Sequence, residues 1–225
     1  MATTSMVRFS LSIGGVVVLV AGVTWLVLQR NPMAGPRPGV AGRPEAGMED
    51  LLPYTNVISP EDLKNQYMEL RVTPYNDPKF YFEITVPRNF ESRPVQVTRQ
   101  QLREDDQTPV PMVELAPRGV DDVLIEARYL RVPERVTRDR FMTVYVEKSG
   151  FQFVKRQRGE FQGRQVEDAL LRMKSPKFGT TLTRLTVSRR GEFMFMVAGS
   201  CREEEYPKWK QAFAVAALSF NPVGK

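Results

Sequence analysis

The hydrophobic pattern of the chain changes period once between Glu192 and Phe220. Phe193-Met-Phe-Met-Val197 is apolar at every position. A run of that kind predicts a strand covered on both faces. Gly199 and Ser200 are expected to break it. Downstream the period becomes helical: Tyr206, Trp209, Phe213, Ala217 and Phe220 recur three or four residues apart, which places them on one helical face. Glu203, Glu204 and Glu205 suit the positive end of that helix, and Pro207 suits its first turn. Ala212, Ala214 and Ala216 between the large residues allow close packing, so the helix is expected to lie across a sheet.

Upstream the pattern alternates. Lys79–Val86 carries Phe80, Phe82, Ile84 and Val86 on one face of a predicted strand. A weaker strand is predicted over Pro94–Thr98, a polar loop over 99–109, and strands over Val110–Ala116 and Val123–Val132. Val136–Ser149 reads as a helix capped by Thr137 and ended by Gly150, with Phe141, Val144 and Tyr145 on one face. Two hairpins are predicted next, Phe151–Arg158 with Arg164–Lys174 and Thr180–Ser188 with Phe193–Ala198. The sum is an α+β domain, an antiparallel sheet flanked by helices. Its expected core is Phe80, Phe82, Ile84, Phe193, Phe195, Tyr206, Trp209, Phe213 and Phe220. Met194 and Met196 also read as core.

Ahead of the domain the patterning stops. Residues 9–28 are uncharged and apolar. About 20 residues of helix span roughly 30 Å, one hydrocarbon core. Arg8 and Arg30 bracket the segment and Trp25 sits near one end. The run is longer than a signal-peptide core and no small-residue cleavage site follows, so a retained single-span anchor is expected after a short tail, residues 1–8. Gly14 and Gly15 add little, because glycine is common in such helices. No cysteine stands directly after the span, so a lipoprotein anchor is not expected. Residues 29–56, rich in Pro and Gly, read as a linker. Ser59-Pro60-Glu61-Asp62 starts a helix, expected within 57–77 with Leu63, Tyr67 and Leu70 as its apolar side.

Two stretches resemble the PsbP-like fold family. Phe80-Tyr-Phe-Glu-Ile-Thr-Val-Pro87 followed by Phe90 resembles the family's first strand and its Pro-x-x-Trp, with Phe90 in the Trp position. The strand ending in small residues, the helix with Trp209 and Phe213, and Ser219-Phe220 resemble its C-terminal end. The resemblance covers about residues 78–222 and rests on packing motifs. It implies an α/β/α sandwich without catalytic residues, like the membrane-anchored or lipoprotein bacterial domains of the DcrB type. Those relatives are mostly extracytoplasmic. They imply an inner-membrane protein whose C-terminal domain is periplasmic. A positive-inside count argues the reverse, since Arg30, Arg37 and Arg43 follow the span and only Arg8 and the terminal amine precede it.

Composition narrows the chemistry. The 225 residues contain no histidine and one cysteine, Cys201. Histidine bases, Ser-His-Asp and Cys-His nucleophile systems, and most zinc sites are thereby removed, as is an intrachain disulfide. Cys201 reads as a small apolar residue at a strand end. The net charge is +6 with both signs interspersed, so no nucleic-acid partner is expected. Arg131, Arg135, Arg138, Arg140, Lys155, Arg156, Arg158 and Arg164 make the middle of the chain basic. They read as a contact for an acidic partner or anionic lipid, or as a solvated face paired with Glu134, Asp139 and Glu160. Asp105-Asp106 and Asp121-Asp122 lack the spacing of a calcium loop. Gly159-x-x-x-Gly163 lacks the Lys-Ser/Thr of a phosphate loop and reads as a turn. No metal, cofactor, catalytic residue or small-molecule substrate is expected. The expected function is a membrane-anchored accessory or assembly protein with a protein partner. The alternatives are a secretion or transport subunit that works through its transmembrane helix, and a hydrolytic or ligand-binding domain without histidine.

Overall fold

A computed structural model describes residues 58–73, 80–93, 95, 97, 109–161 and 163–224. The apolar segment 9–28, the linker, the side chain of Phe80 and the Asp105-Asp106 pair lie outside the described residues. Among the described residues no helix is long and apolar enough to cross a membrane.

Among the described residues, ten strands form two antiparallel sheets. The smaller has the order β1 (Tyr67–Val72), β2 (Phe80–Pro87), β10 (Asn221–Gly224). The larger comprises β3 (Phe90–Arg93), β4 (Val110–Pro117), β5 (Leu124–Arg131), β6 (Gln152–Phe161), β7 (Arg164–Ser175), β8 (Gly179–Arg190) and β9 (Phe193–Arg202). Its order is β3-β4-β5-β9-β8-β7-β6, so β9 is central and β6 ends the sheet. Helix α1 (Pro60–Gln66) precedes β1, α2 (Arg138–Ser149) follows β5, and α3 (Tyr206–Ser219) follows a 3-10 turn at Glu203–Glu205.

The alternation of β9 builds two cores. Phe195, Val197 and Cys201 join Phe82, Ile84, Phe90, Trp209, Phe213 and Phe220 on one face. Met194, Met196 and Ala198 join Phe141, Met142, Val146, Leu171 and Leu185 on the other. Both faces of this strand are therefore covered, α2 on one and α3 on the other, and α3 also packs on β2 of the small sheet. Of the expected core, Phe82, Ile84, Phe195, Trp209, Phe213 and Phe220 are buried, while Phe193 and Tyr206 are partly buried at the margin. The domain is α+β, and the three-stranded sheet is an addition to the single sheet expected.

Several boundaries differ from the sequence reading. The lead-in helix stops at Gln66 and buries nothing, although Ser59 caps it as expected, its Oγ accepting from the Asp62 amide at 3.0 Å. Tyr67-Met-Glu-Leu-Arg-Val72 then alternates with period two and pairs with β2, so Tyr67 and Leu70 are strand residues and the folded unit begins before residue 78. The strand expected at Pro94–Thr98 lies earlier, at β3; Val95 and Val97, the described residues of that range, are not in a strand. Helix α2 begins at Arg138, with Thr137 as its cap and Gly150 in the left-handed region at φ 72°. It buries Phe141, Met142 and Val146, a face rotated from the one expected through Val144 and Tyr145.

Gly199 and Ser200 do not end β9, which runs on to Arg202. Gly199 faces α3, and a Cβ built on it would overlap the ring of Phe213. The glycine is an approach point for the helix and not a breaker.

Candidate functional site

The structure divides the basic residues expected to act together. Arg131, at the end of β5, pairs with Glu192 in the β8–β9 turn at 2.7 Å. Arg164 donates to the carbonyls of Phe220 at 2.6 Å and Leu218 at 3.5 Å, and so caps the C-terminal end of α3, whose last turn holds no basic residue. Burial, then the neighbouring Arg190, lowers the pKa of Arg164. These two are structural.

Arg138, Arg140, Arg156 and Arg158 lie where the first turns of α2 meet β6, Arg135 precedes that helix, and the register sets Lys155 opposite Leu170, on the other face of the sheet. Arg156 reaches Asp139 at 2.7 Å and Glu167 at 3.3 Å, and donates to Thr143 Oγ1 at 2.8 Å. Arg158 reaches Asp139 at 2.8 Å and Glu167 at 2.7 Å. Asp139 is one of the expected partners. Glu134 instead accepts Arg189 at its backbone carbonyl, and Glu160 accepts Gln165. Glu167 was not foreseen; register places it opposite Arg158, on the α2 side of the sheet. Bonds to both carboxylates raise the pKa of Arg158, yet its side chain remains 67% exposed. Arg135, Arg138 and Arg140 form no ion pair among the described residues. They flank Asp139 at the positive end of α2, where cations are unfavourable. A basic, solvent-facing ridge of α2 and β6 results.

A second charged cluster lies against the other side of α2. The register places Arg93, Glu114 and Glu126 in one row across β3, β4 and β5. Glu126 pairs with Arg128 at 2.7 Å, and both are largely buried. Burial, then Glu126, raises the Glu114 pKa against the opposing pull of Arg128 and Arg93. Burial opposes the charge of Arg128, and Glu126, Tyr145 and Glu114 together more than offset it, so its pKa also rises. Burial and then Glu126 push the Tyr145 phenol up to about 12. Arg128 Nε and Lys148 Nζ are buried without a hydrogen-bond partner among the described residues.

Inside the opposite face, between β7 and β8, Asp168 is 0% exposed. It accepts from Arg184 at 2.9 and 3.3 Å and from Thr186 at 2.7 Å. The signal for both clusters was present in the sequence as charge inside apolar strands, for example Glu167-Asp168 before Ala169-Leu170-Leu171.

The remaining chemistry is spoken for. Asp121 pairs with Arg93 and Asp122 with Arg202, so the two neighbours point to different partners. No group of three metal-binding side chains occurs among the described residues. Cys201 is buried, and burial, then Glu205 and Asp122, push its thiol up to about 12, so little thiolate forms at neutral pH. A cleft beside the end of α3, lined by Phe161, Arg164, Thr186 and Phe220, has room for about one water molecule.

No protein-family model matches the chain, and no curated protein matches it. Solved structures do. The cyanobacterial PsbP of Synechocystis sp. PCC 6803 is 12% identical, with a TM-score of 0.50, over 70% of this chain and 93% of that one. LpqN, described as involved in cell envelope biogenesis of Mycobacterium tuberculosis, is 12% identical with a TM-score of 0.46, over 72% of this chain and 94% of that one. At these identities the likeness is one of architecture, and the chain has a PsbP-like fold.

Proposed function

We propose that the chain is a single-pass, membrane-anchored and non-enzymatic accessory protein whose extracytoplasmic domain binds a protein partner in an envelope complex. The observation that carries this reading is the order of its parts. An uncharged span of one bilayer thickness, residues 9–28, is joined by a Pro- and Gly-rich linker to a folded domain. The domain's buried polar groups are largely paired with each other, and its outward chemistry is a ridge carrying Arg135, Arg138 and Arg140. Such a ridge suits recognition of an acidic protein surface.

The anchor is tested by extraction. Full-length protein should stay in membranes through high-salt and carbonate washes, whereas a chain starting near residue 50 should be soluble and folded. Mature protein beginning after residue 30 would mean that the segment is a cleaved signal. Orientation is tested with Ala41→Cys and an impermeant thiol reagent on spheroplasts. Cys201 contributes little background, because it is buried. Labelling before lysis supports a periplasmic domain, and protection until lysis reverses the topology. Exchanging residues 9–28 for an unrelated span should leave partner co-purification intact. Its loss would make the span itself the contact.

A further inference from the structure

We infer that the chain pairs with a second copy of itself through β1: the two strands lie antiparallel about a two-fold axis at Leu70 and join the two small sheets into one of six strands. The inference is independent of the partner-binding reading above and concerns a different part of the domain. Strand β1 is a terminal strand of the small sheet, and its one ladder among the described residues is with β2. It is six residues long, and its register with β2 runs unbroken from Tyr67 to Val72. It holds no proline, no lysine and no bulge, the devices that blunt an edge against pairing. By contrast β10, the other terminal strand of this sheet, has four residues and contains Pro222. Arg88 of the β2–β3 turn donates to the carbonyls of Lys64 and Asn65, and through its amide to that of Gln66, so the end of α1 is tied toward β2.

The strand's own sequence selects the occupant. Met68-Glu-Leu-Arg-Val72 is self-complementary about its centre. In an antiparallel pair centred on Leu70, Glu69 of each copy faces Arg71 of the other, and Met68 faces Val72. Opposite charges directly across a strand pair are favourable and like charges are not. Centring the pair on Glu69 or on Arg71 sets like charges opposite each other, and a one-residue slip mixes the apolar and charged faces. On the outward face, the ladder with β2 sets Arg71 opposite Glu83 and Glu69 opposite Thr85. The second copy therefore completes a row in which Arg71 stands between two carboxylates. The Arg71 guanidinium lies 3.8 Å from the centre of the Tyr81 ring, and stacking leaves its N–H edge for the incoming carboxylate. On the inward face, Met68, Leu70 and Val72 pack at the margin of the core and are only partly buried. Pairing brings the same three residues of the second copy against them and removes that apolar surface from water. The two chains then enter their domains about 20 Å apart, the length of six strand residues. A linker over 29–56 reaches roughly 30 Å, so both copies can be tethered to one bilayer.

The test uses the full-length protein, in phosphatidylcholine vesicles for cross-linking and in detergent for sedimentation. Leu70→Cys places two thiols opposite each other across the axis, and mild oxidation should give a disulfide-linked dimer. Wild type should give none, since Cys201 is buried. Glu83→Cys, one strand further in, should link at least tenfold more slowly. E69R and R71E each set like charges opposite each other. Each should weaken self-association at least tenfold in sedimentation while circular dichroism is unchanged. An equimolar mixture of the two variants should recover the dimer, because both cross-strand pairs then join opposite charges. That recovery also separates lost pairing from lost folding. A dimer that neither variant weakens would overturn the inference and place the contact elsewhere, such as the span 9–28. Equal linking at positions 70 and 83 would overturn it as random collision. Monomer at every concentration would overturn it as well. Slow amide exchange over Tyr67–Val72 in such a monomer would assign the edge to another segment of the same chain. A photocrosslinking residue replacing Glu69 in cells that captures another protein, and never a second copy, would overturn it in favour of that protein.

Discussion

Phe213 packs on Gly199 so closely that the strand can carry no side chain there. The ring occupies the space a Cβ would need, and rigid side-chain carbons block relief. Overpacking of this kind costs about 1–3 kcal/mol. Gly199→Ala should therefore lower stability to urea by about that amount. Phe213→Ala should cost about 3–5 kcal/mol through the cavity it leaves. In the double variant the alanine methyl enters part of that cavity, so the combined loss should fall short of the sum. Additive losses would mean that the helix does not approach β9 at this point.

Trp209 gives a second contrast on the same helix. Its ring meets Phe90 edge-on at 5.7 Å, and its Nε1 donates to Glu205 at 3.0 Å. Trp209→Ala should cost about 3–5 kcal/mol, a large part of the stability of a domain held by about 5–15 kcal/mol. Lys208 lies over the outer face of the same ring at 4.8 Å and is exposed. Lys208→Ala should cost about 0.5–1 kcal/mol. Thermal melts of both variants check the ratio. A stable Trp209→Ala protein that fails only in partner pull-down would make this helix the interaction surface.

These two sites also show what the sequence could and could not convey. The aromatic spacing from Tyr206 to Phe220 is a local signal, so the helix and its buried face were legible. The role of Gly199 was not, because a glycine at a turn and a glycine under a helix look alike until the partner 14 residues away is placed. The same holds for β1. Tyr67-Met-Glu-Leu-Arg-Val72 is ambiguous between periods, and its pairing with β2 decides the matter across a stretch of intervening chain. Among the basic residues, Asp139 was foreseen because it adjoins Arg138 and Arg140. Glu167 was not, because only the β6–β7 register sets it opposite Arg158.

Asp168 and Arg184 form a fully desolvated pair, closed by the Thr186 hydroxyl. Removing one partner of such a pair leaves the other buried charge without its ion-pair partner, at a cost of about 3–5 kcal/mol. Arg184→Leu and Asp168→Leu should each reach that range in denaturant unfolding. Arg184→Leu/Asp168→Leu, which removes both charges and nearly keeps apolar volume, should be less damaging than either single change. A double variant as unstable as the sum of the singles would mean that the two residues act separately.

Glu114 makes stability depend on pH in a direction opposite to most carboxylates. Burial, reinforced by Glu126 across the strand pair, raises its folded pKa above the ordinary 4.5. Between the unfolded value and the raised folded value the native state holds more protons than the unfolded chain, so stability falls as pH rises. The contribution is fully present below the unfolded pKa and is lost as pH passes the folded one. Glu114→Gln mimics the protonated form. It should raise the melting temperature at neutral pH and change it little near pH 4, and its stability curve should be flatter than wild type over that interval. Glu114 is only half-buried, so water screens part of the effect and the gain should be modest. Arg93→Ala removes one of the two opposing cations and should steepen the fall, since the Glu114 carboxylate then keeps Arg128 alone as compensation. If Glu114→Gln gives no gain at neutral pH, the carboxylate is solvated and its crowding by Glu126 carries no energy.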